Sequence, residues 1–367
     1  MSDKEKKYYK PDWQPENAGS EFAVRIIKGE SNSAYEPQKF KSEETSVDDL
    51  VKGVLENNRT KLAKTITLIE SNSEKHHQKA NEILTRLIDH SGKSIRIGIT
   101  GVPGAGKSTL IEALGLFLID KGHKVAVLAV DPSSTLTKGS ILGDKTRMEK
   151  LSKEENAFIR PSPSSGTLGG VTRKTRETIT ACEAAGYDII LIETVGVGQS
   201  EVTVRSMVDF FMLVKIAGAG DELQGIKKGV IELADALVIN KADGDNETRA
   251  NIAKADFTNA LHYLKPATKG WHTKAFTCSA ITGKGIDEIW KVITKFIDLT
   301  KRNGIFEKRR KDQLIEWTFS MIENELKERF YHHQLVKEKI PQLQKEILNG
   351  NKLPTQVVEE LLKLYFS

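Results

Sequence analysis

Gly101-Val102-Pro103-Gly104-Ala105-Gly106-Lys107-Ser108 has the spacing G-x-x-x-x-G-K-S, with Thr109 next in the chain. Glycines at these positions let backbone N–H groups turn inward around phosphate oxygens, where side chains would clash. Lys107 adds a point charge at the β- and γ-phosphates, and the Ser108 hydroxyl is placed to ligate Mg²⁺. The helix expected after this loop presents its positive end to the same anion. A second loop, Asn240-Lys241-Ala242-Asp243, directly follows the apolar run Ala236–Asn240. A carboxylate at Asp243 can accept two hydrogen bonds from guanine's ring N–H and exocyclic amino group. Adenine lacks that donor pair and would leave the acid unpaired, at a cost of ~2–4 kcal/mol. Asn240 and Lys241 would tie this loop to the phosphate loop and cover the base. Cys278-Ser279-Ala280 ends another apolar run, where backbone N–H groups at Ser279 and Ala280 are in position to meet the guanine oxygen.

Acids at strand ends are candidates for a metal–phosphate site, where a carboxylate normally acts through a metal-bound water. Asp131 ends the run Lys124–Asp131, Asp144 lies in the glycine-containing stretch Gly139–Arg147, and Glu193 ends the run from Asp188. Gly196, three residues past Glu193, could give an N–H to the γ-phosphate. This E-x-x-G replaces the D-x-x-G of many GTPases, so a water-positioning role for Gln199 does not follow from the pattern. Two further stretches read as mobile. Ser162–Arg176 combines glycines with Arg173, Lys174 and Arg176, and Ala217–Lys228 is glycine-rich and carries Asp221, Gln224 and Lys227.

The elements that must hold these loops are legible from Ser94 onward. Ser94–Thr100, Lys124–Asp131, Asp188–Thr194, Asp209–Ile216, Ala236–Asn240 and Ala275–Ser279 are short apolar runs that read as buried strands. They alternate with helix-length segments such as Ser108–Lys121, stopped by Gly122. Alternation with strands apolar on both faces predicts an α/β fold: a mostly parallel sheet flanked by helices, with helical extensions at both ends. Upstream, Ser46 with Asp49 predicts a helix N-cap. Val47, Leu50, Val51, Val54 and Leu55 then recur at helical spacing. Downstream of Asn303-Gly304, Ile315, Phe319, Ile322, Leu326 and Phe330 form one stripe. The expected organisation is a polar, loosely ordered arm over 1–45, a helical subdomain over 46–93, a nucleotide-binding domain over 94–303 and a helical arm over 304–367.

Composition narrows the function classes. The 367 residues carry 55 Lys and Arg against 50 acids, a net charge of +5 with the signs mixed, which does not imply nucleic acid. With 38% hydrophobic residues, a sizeable core is available. Only Cys182 and Cys278 occur, far apart, which excludes a disulfide framework or a cysteine-rich metal site. No run approaches the roughly 20 apolar residues of a membrane span. The first residues have neither an apolar core nor early arginine, so no leader is expected and a cytoplasmic setting is.

In order, GVPGAGKST, AVDPSS, GSILGDKTRM, ETVGVGQSE, AGAGDELQGIKKG and NKAD closely resemble the MeaB/MMAA family, also called ArgK. The resemblance runs from about Ser46 to the C-terminus and is most specific over residues 96–243. It implies a SIMIBI-class P-loop GTPase that couples Mg²⁺-dependent GTP hydrolysis to service of an adenosylcobalamin-dependent methylmalonyl-CoA mutase or a related acyl-CoA mutase. That service is loading of intact cofactor and removal of damaged cofactor, with cobalamin reached only through the partner mutase. By position it implies that Lys107 and Ser108 serve phosphate and Mg²⁺, and that Asp131, Asp144 and Glu193 are metal or switch acids. It further implies that Asp243 reads guanine and that Asp221, Gln224 and Lys227 relay nucleotide state. Homodimerisation through the C-terminal helices is implied as well. Slow turnover alone and acceleration by the partner are expected, because no internal arginine finger is evident and Arg147 is no more than a candidate. Two alternatives compete with this reading. A nickel or zinc insertase of the same class would need soft ligands, and His76-His77 and His332-His333 sit on expected helices where neighbours point apart. A kinase for a basic amino-acid transport system, as the ArgK name suggests, fits poorly with a guanine-reading loop.

Overall fold

The computed structural model describes residues 45–130, 148–161, 168–194, 200–218 and 228–366. The chain divides into two units, Met1–Thr45 and Ser46–Ser367, and the second is described below.

The unit opens with three helices, α1 (Val47–Leu55), α2 (Arg59–Glu70) and α3 (Glu74–Leu87). The expected cap is present: the Ser46 side chain accepts from the Asp49 N–H at 3.1 Å. Asn57, at a φ of 57°, breaks the pattern after α1, and Asn58 caps α2. Leu50, Val54, Leu62, Ile66, Ile69 and Ile83 are fully buried.

From Ile95 to Arg302 strands and helices alternate among the described residues: β1 (Ile95–Gly101), α4 (Lys107–Asp120), β2 (Val125–Val130), α5 (Glu149–Lys153), β3 (Ala157–Arg160), α6 (Leu168–Ala184), β4 (Ile189–Thr194), α7 (Ser200–Arg205), β5 (Phe210–Ile216), α8 (Lys228–Leu233), β6 (Ala236–Asn240), α9 (Glu247–His262), β7 (Lys274–Thr277) and α10 (Ile286–Arg302). Among the described residues these strands form one all-parallel sheet in the order β3-β2-β4-β1-β5-β6-β7. The strands are buried because helices cover both faces. Ile97, Ile99, Leu191 and Met212 pack with Leu110, Leu114, Ile293 and Phe296 on one face. Ile190, Ile192 and Phe211 pack with Ile179, Val204 and the N-terminal helices on the other. Each such side chain contributes about 1.5–3 kcal/mol on burial.

Two expectations need correction. The edge strand β3 was not anticipated, because four residues with two half-buried carry little periodic signal. In the stretch Ser162–Arg176, expected to be mobile, residues 162–167 lie outside the described residues, and from Leu168 onward the chain is helix α6. Its bases are held: Lys174 donates to Asn72 Oδ1 at 2.7 Å, Arg173 meets His77, and Arg176 donates to Ser206. The glycines at 169 and 170 suggested a loop, but the buried contacts of the following turns outweigh their low helix propensity.

The chain ends in α11 (Ile305–His332), α12 (Gln334–Leu348) and α13 (Pro354–Phe366). The root of α11 is fixed to the lower, N-terminal edge of the sheet. Arg310 makes a bidentate pair with the buried Asp209 at 2.8 and 2.7 Å, and Gln313 donates to Val208 O at 2.9 Å. Beyond that root, Ile315, Phe319, Ile322 and Leu326 are all exposed, whereas Phe330 is partly covered.

Candidate functional site

The phosphate-loop residues lie where β1 passes into α4, near the centre of the sheet and at its C-terminal edge, the place where open α/β sheets bind ligands. Glycine is required at two points. At Gly101 a Cβ would come within 2.2 Å of Val214 O on the adjoining strand. At Gly106, with φ +80°, it would come within 2.7 Å of the Asn240 amide nitrogen. Gly106 is also the N-cap of α4, so the first N–H groups of that helix face the loop's concavity. Val102, Pro103, Gly104 and Ala105 complete the turn, with Ala105 N–H donating to Val102 O at 3.2 Å, and Thr109 lies in the first turn of α4. Lys107 is buried, its ammonium donating to Gly101 O at 2.9 Å and lying 3.4 Å from Val102 O.

Glu193 belongs to β4, the neighbour of β1, in register with Ile99. Its buried carboxylate accepts from the Ser108 hydroxyl at 3.0 Å, with the second oxygen 3.4 Å away. An aliphatic hydroxyl beside a carboxylate at a helix N-terminus is a hard-oxygen donor set of the kind that suits Mg²⁺. Asp131, Asp144, Gly196, Asp221, Gln224 and Lys227 lie outside the described residues, as do Arg147 and Gln199.

The second loop is tied to the first by Asn240. Its Nδ2 donates to Ala105 O at 2.9 Å and to Gly106 O at 3.3 Å. Its Oδ1 accepts from Ala280 N–H at 3.2 Å and from the Cys278 thiol at 3.4 Å. Burial, with the Asp243 charge adding to it, pushes the Cys278 thiol up to about 12, so it remains a protonated donor at neutral pH. Lys241 adopts a φ of 59°, rare for a side chain of its size, and the turn is held by Asn246 donating to Lys241 O at 2.8 Å. Asp243 is oriented by the Ser279 hydroxyl, which donates to Oδ2. Because a carboxylate has about four acceptor positions, capacity for two more donors is left. The amides expected to meet the guanine oxygen are both engaged within the protein: Ser279 N–H donates to Lys284 O at 2.9 Å and Ala280 N–H to Asn240. Each would reach a guanine oxygen only by sharing its proton.

The family described as Methylmalonyl Co-A mutase-associated GTPase MeaB matches residues 62–334. The chain belongs to this family. It is 48% identical over 322 residues to a probable GTPase of Mycobacterium tuberculosis, covering 88% of this chain and 96% of the relative. To the Escherichia coli GTPase ArgK it is 48% identical over 283 residues, covering 77% of this chain and 86% of that one. To the mouse methylmalonic aciduria type A homolog, a mitochondrial protein, it is 44% identical over 335 residues, covering 89% and 81%. Among solved structures, one titled LAO/AO transport system kinase superimposes with a TM-score of 0.71 at 37% identity, covering 88% of this chain and 99% of that one. As a member of the MeaB family this protein is a P-loop GTPase, a hydrolase acting on GTP. Among the described residues no helix is long and apolar enough to cross a membrane.

Proposed function

We propose that this MeaB-family GTPase is a chaperone of an adenosylcobalamin-dependent methylmalonyl-CoA mutase, or of a related acyl-CoA mutase, using GTP hydrolysis to gate cofactor loading and removal of damaged cofactor. The observation that carries this reading is the match over residues 62–334 to a family described as mutase-associated. The identity to a methylmalonic aciduria type A homolog supports it.

In this reading the amides of residues 101–108 cradle the triphosphate and Lys107 balances charge on the β- and γ-phosphates. Ser108 and Glu193 hold Mg²⁺, and Asp243 accepts from guanine. Bound there, Mg²⁺ would neutralise charge building on the phosphate oxygens as water attacks in line. Lys107 stays buried, so its charge acts in a poorly screened environment where it counts for more than in water. Asn240 holds the two loops at a fixed separation, so base and phosphates are bound as one rigid pair. Asp131 or Asp144 orients the attacking water, and Asp221, Gln224 and Lys227 pass nucleotide state to the mutase. The protein acts in the cytoplasm as a homodimer, and the exposed stripe Ile315, Phe319, Ile322 and Leu326 supports association through the 304–367 arm.

The insertase reading is not favoured, because His76 and His77 are engaged separately, by Ser71 and Arg173, and burial pushes both thiols up. The kinase reading is not favoured either, because Asp243 stands ready for guanine.

The test is capture of the purified mutase by this protein with GDP and with a non-hydrolysable GTP analogue. Capture that differs between the two nucleotides is expected. Equal capture in both, or none, contradicts the chaperone reading.

A further inference from the structure

The last two residues of β4 grip opposite ends of the phosphate loop from opposite faces of the sheet. Glu193 turns toward α4 and meets Ser108, where the loop ends. Thr194 turns to the other face, and its hydroxyl donates to that of Thr100 at 2.8 Å, one residue before the loop begins. Thr100 and Thr194 are 1% and 0% exposed, so neither hydroxyl has water as an alternative partner. Alternation along a strand explains the split: Leu191 and Glu193 share one face, Ile192 and Thr194 the other. An apolar pair would satisfy a buried strand position as well. Two hydroxyls side by side therefore call for a reason beyond packing.

From this geometry we infer that Thr194 is a positioning residue for GTP hydrolysis, acting through Thr100 to lock the root of the phosphate loop to the end of β4. The inference rests on the nucleotide site proposed above. A rigid link at both loop ends fixes the distance between Lys107 and the acid at Glu193. Catalysis is sensitive to such a distance, whereas ground-state nucleotide binding, spread over many amides, is not. Loosening the Thr100 end should therefore cost rate rather than affinity.

The experiment is single-turnover GTP hydrolysis by the full chain with Mg²⁺, alongside equilibrium binding of GDP. Thr194→Val removes the donor with little change in volume. We expect the rate to fall about tenfold, equivalent to ~1.4 kcal/mol, with GDP affinity held within about twofold. Thr194→Ser, which keeps the hydroxyl, should restore most of the rate. Thr100→Val should reproduce the loss. The double variant should be no slower than either single one, because both remove the same bond. If Thr194→Val does not fold, Thr100→Val carries the test. An unchanged rate, failure of Thr194→Ser to rescue, or equal losses in rate and GDP affinity would overturn the inference. A parent protein that hydrolyses no GTP would instead overturn the site beneath it.

Discussion

Glu193 and Ser108 meet where strand β4 faces the first turn of α4, the hydroxyl donating to one carboxylate oxygen at 3.0 Å and lying 3.4 Å from the other. Eighty-five residues apart in sequence, they are brought together because β4 lies beside β1 and the phosphate loop returns the chain over it. The pair joins the sheet's central acid to the hydroxyl that ends the phosphate loop. The two are the oxygen donors that a divalent ion held between β4 and the loop would meet, directly or through a bound water.

Replacing Glu193 by Gln keeps an acceptor for Ser108 but removes the charge. We expect GTP hydrolysis at fixed Mg²⁺ to fall about tenfold or more, with the Mg²⁺ concentration for half-maximal rate raised by a similar factor. A Mg²⁺ titration of the hydrolysis rate checks this. An unshifted midpoint would remove Glu193 from the metal set.

Asn240→Ala deletes two donors to phosphate-loop carbonyls and leaves Ala280 N–H without its acceptor. Since one side chain holds both loops, GTP and GDP affinities should fall together by about 10–100-fold, from the loss of two to three buried hydrogen bonds at ~1 kcal/mol each. Isothermal titration with both nucleotides measures it. Affinities within twofold of the parent would show that the loops hold their positions independently.

The lower edge of the sheet predicts an acid limit to stability. Burial alone would push the Glu183 carboxyl up. The charge and hydrogen bonds of Arg96, joined by Ser94 and Gly92 N–H, outweigh it and hold the group below its ordinary 4.5. A depressed folded-state value adds stability that is present above the unfolded value and lost as pH falls through it toward the folded one. Thermal midpoints should therefore drop below about pH 4.5 in the parent. Glu183→Gln should lose about 1.5–3 kcal/mol at pH 7, because the charge-assisted bonds to the half-buried Arg96 are weakened, and should show a shallower acid limb. An acid limb as steep as the parent's would show that other carboxylates set it.

The exposed stripe on α11 provides a test of assembly. Phe319, 62% exposed, sits among Ile315, Ile322 and Leu326 on a face too apolar for a helix meant to stay in water. Phe319→Glu should convert a dimer into a monomer in sedimentation velocity without lowering the thermal midpoint of the nucleotide-binding unit. A parent chain that sediments as a monomer would contradict the dimer.

Most of this site was legible because its chemistry is local. The phosphate loop needs glycine and lysine at fixed spacing, and Asn240–Asp243 follows an unmistakable buried strand. The α/β alternation was legible for the same reason: six of the strands are continuous apolar runs. What could not be read was anything dependent on which strand lies beside which. The Thr100–Thr194 pair exists only because β1 lies beside β4, whereas the Asn240 tie between the two loops was legible from the N-K-x-D pattern, and only its partners, the carbonyls of Ala105 and Gly106, were not. Asp209 and Asp235, each placed just before a strand, did offer a signal, since an acid there can cap the strand's entry and receive arginines from a packed helix. Arg173 and Lys174 misled for the opposite reason. Charged residues near glycines look solvated until a partner such as Asn72 or His77 is supplied by a distant helix.

The purine-reading role proposed for Asp243 has the most direct test. Asp243→Asn replaces a carboxylate that accepts two N–H donors with an amide that offers donors of its own, matching xanthine rather than guanine. Titration calorimetry with Mg²⁺ should show GTP affinity falling by at least about 100-fold while xanthosine triphosphate gains by a comparable factor. Undiminished preference for GTP in the Asp243→Asn protein, or tighter binding of ATP than GTP by the parent, would contradict it.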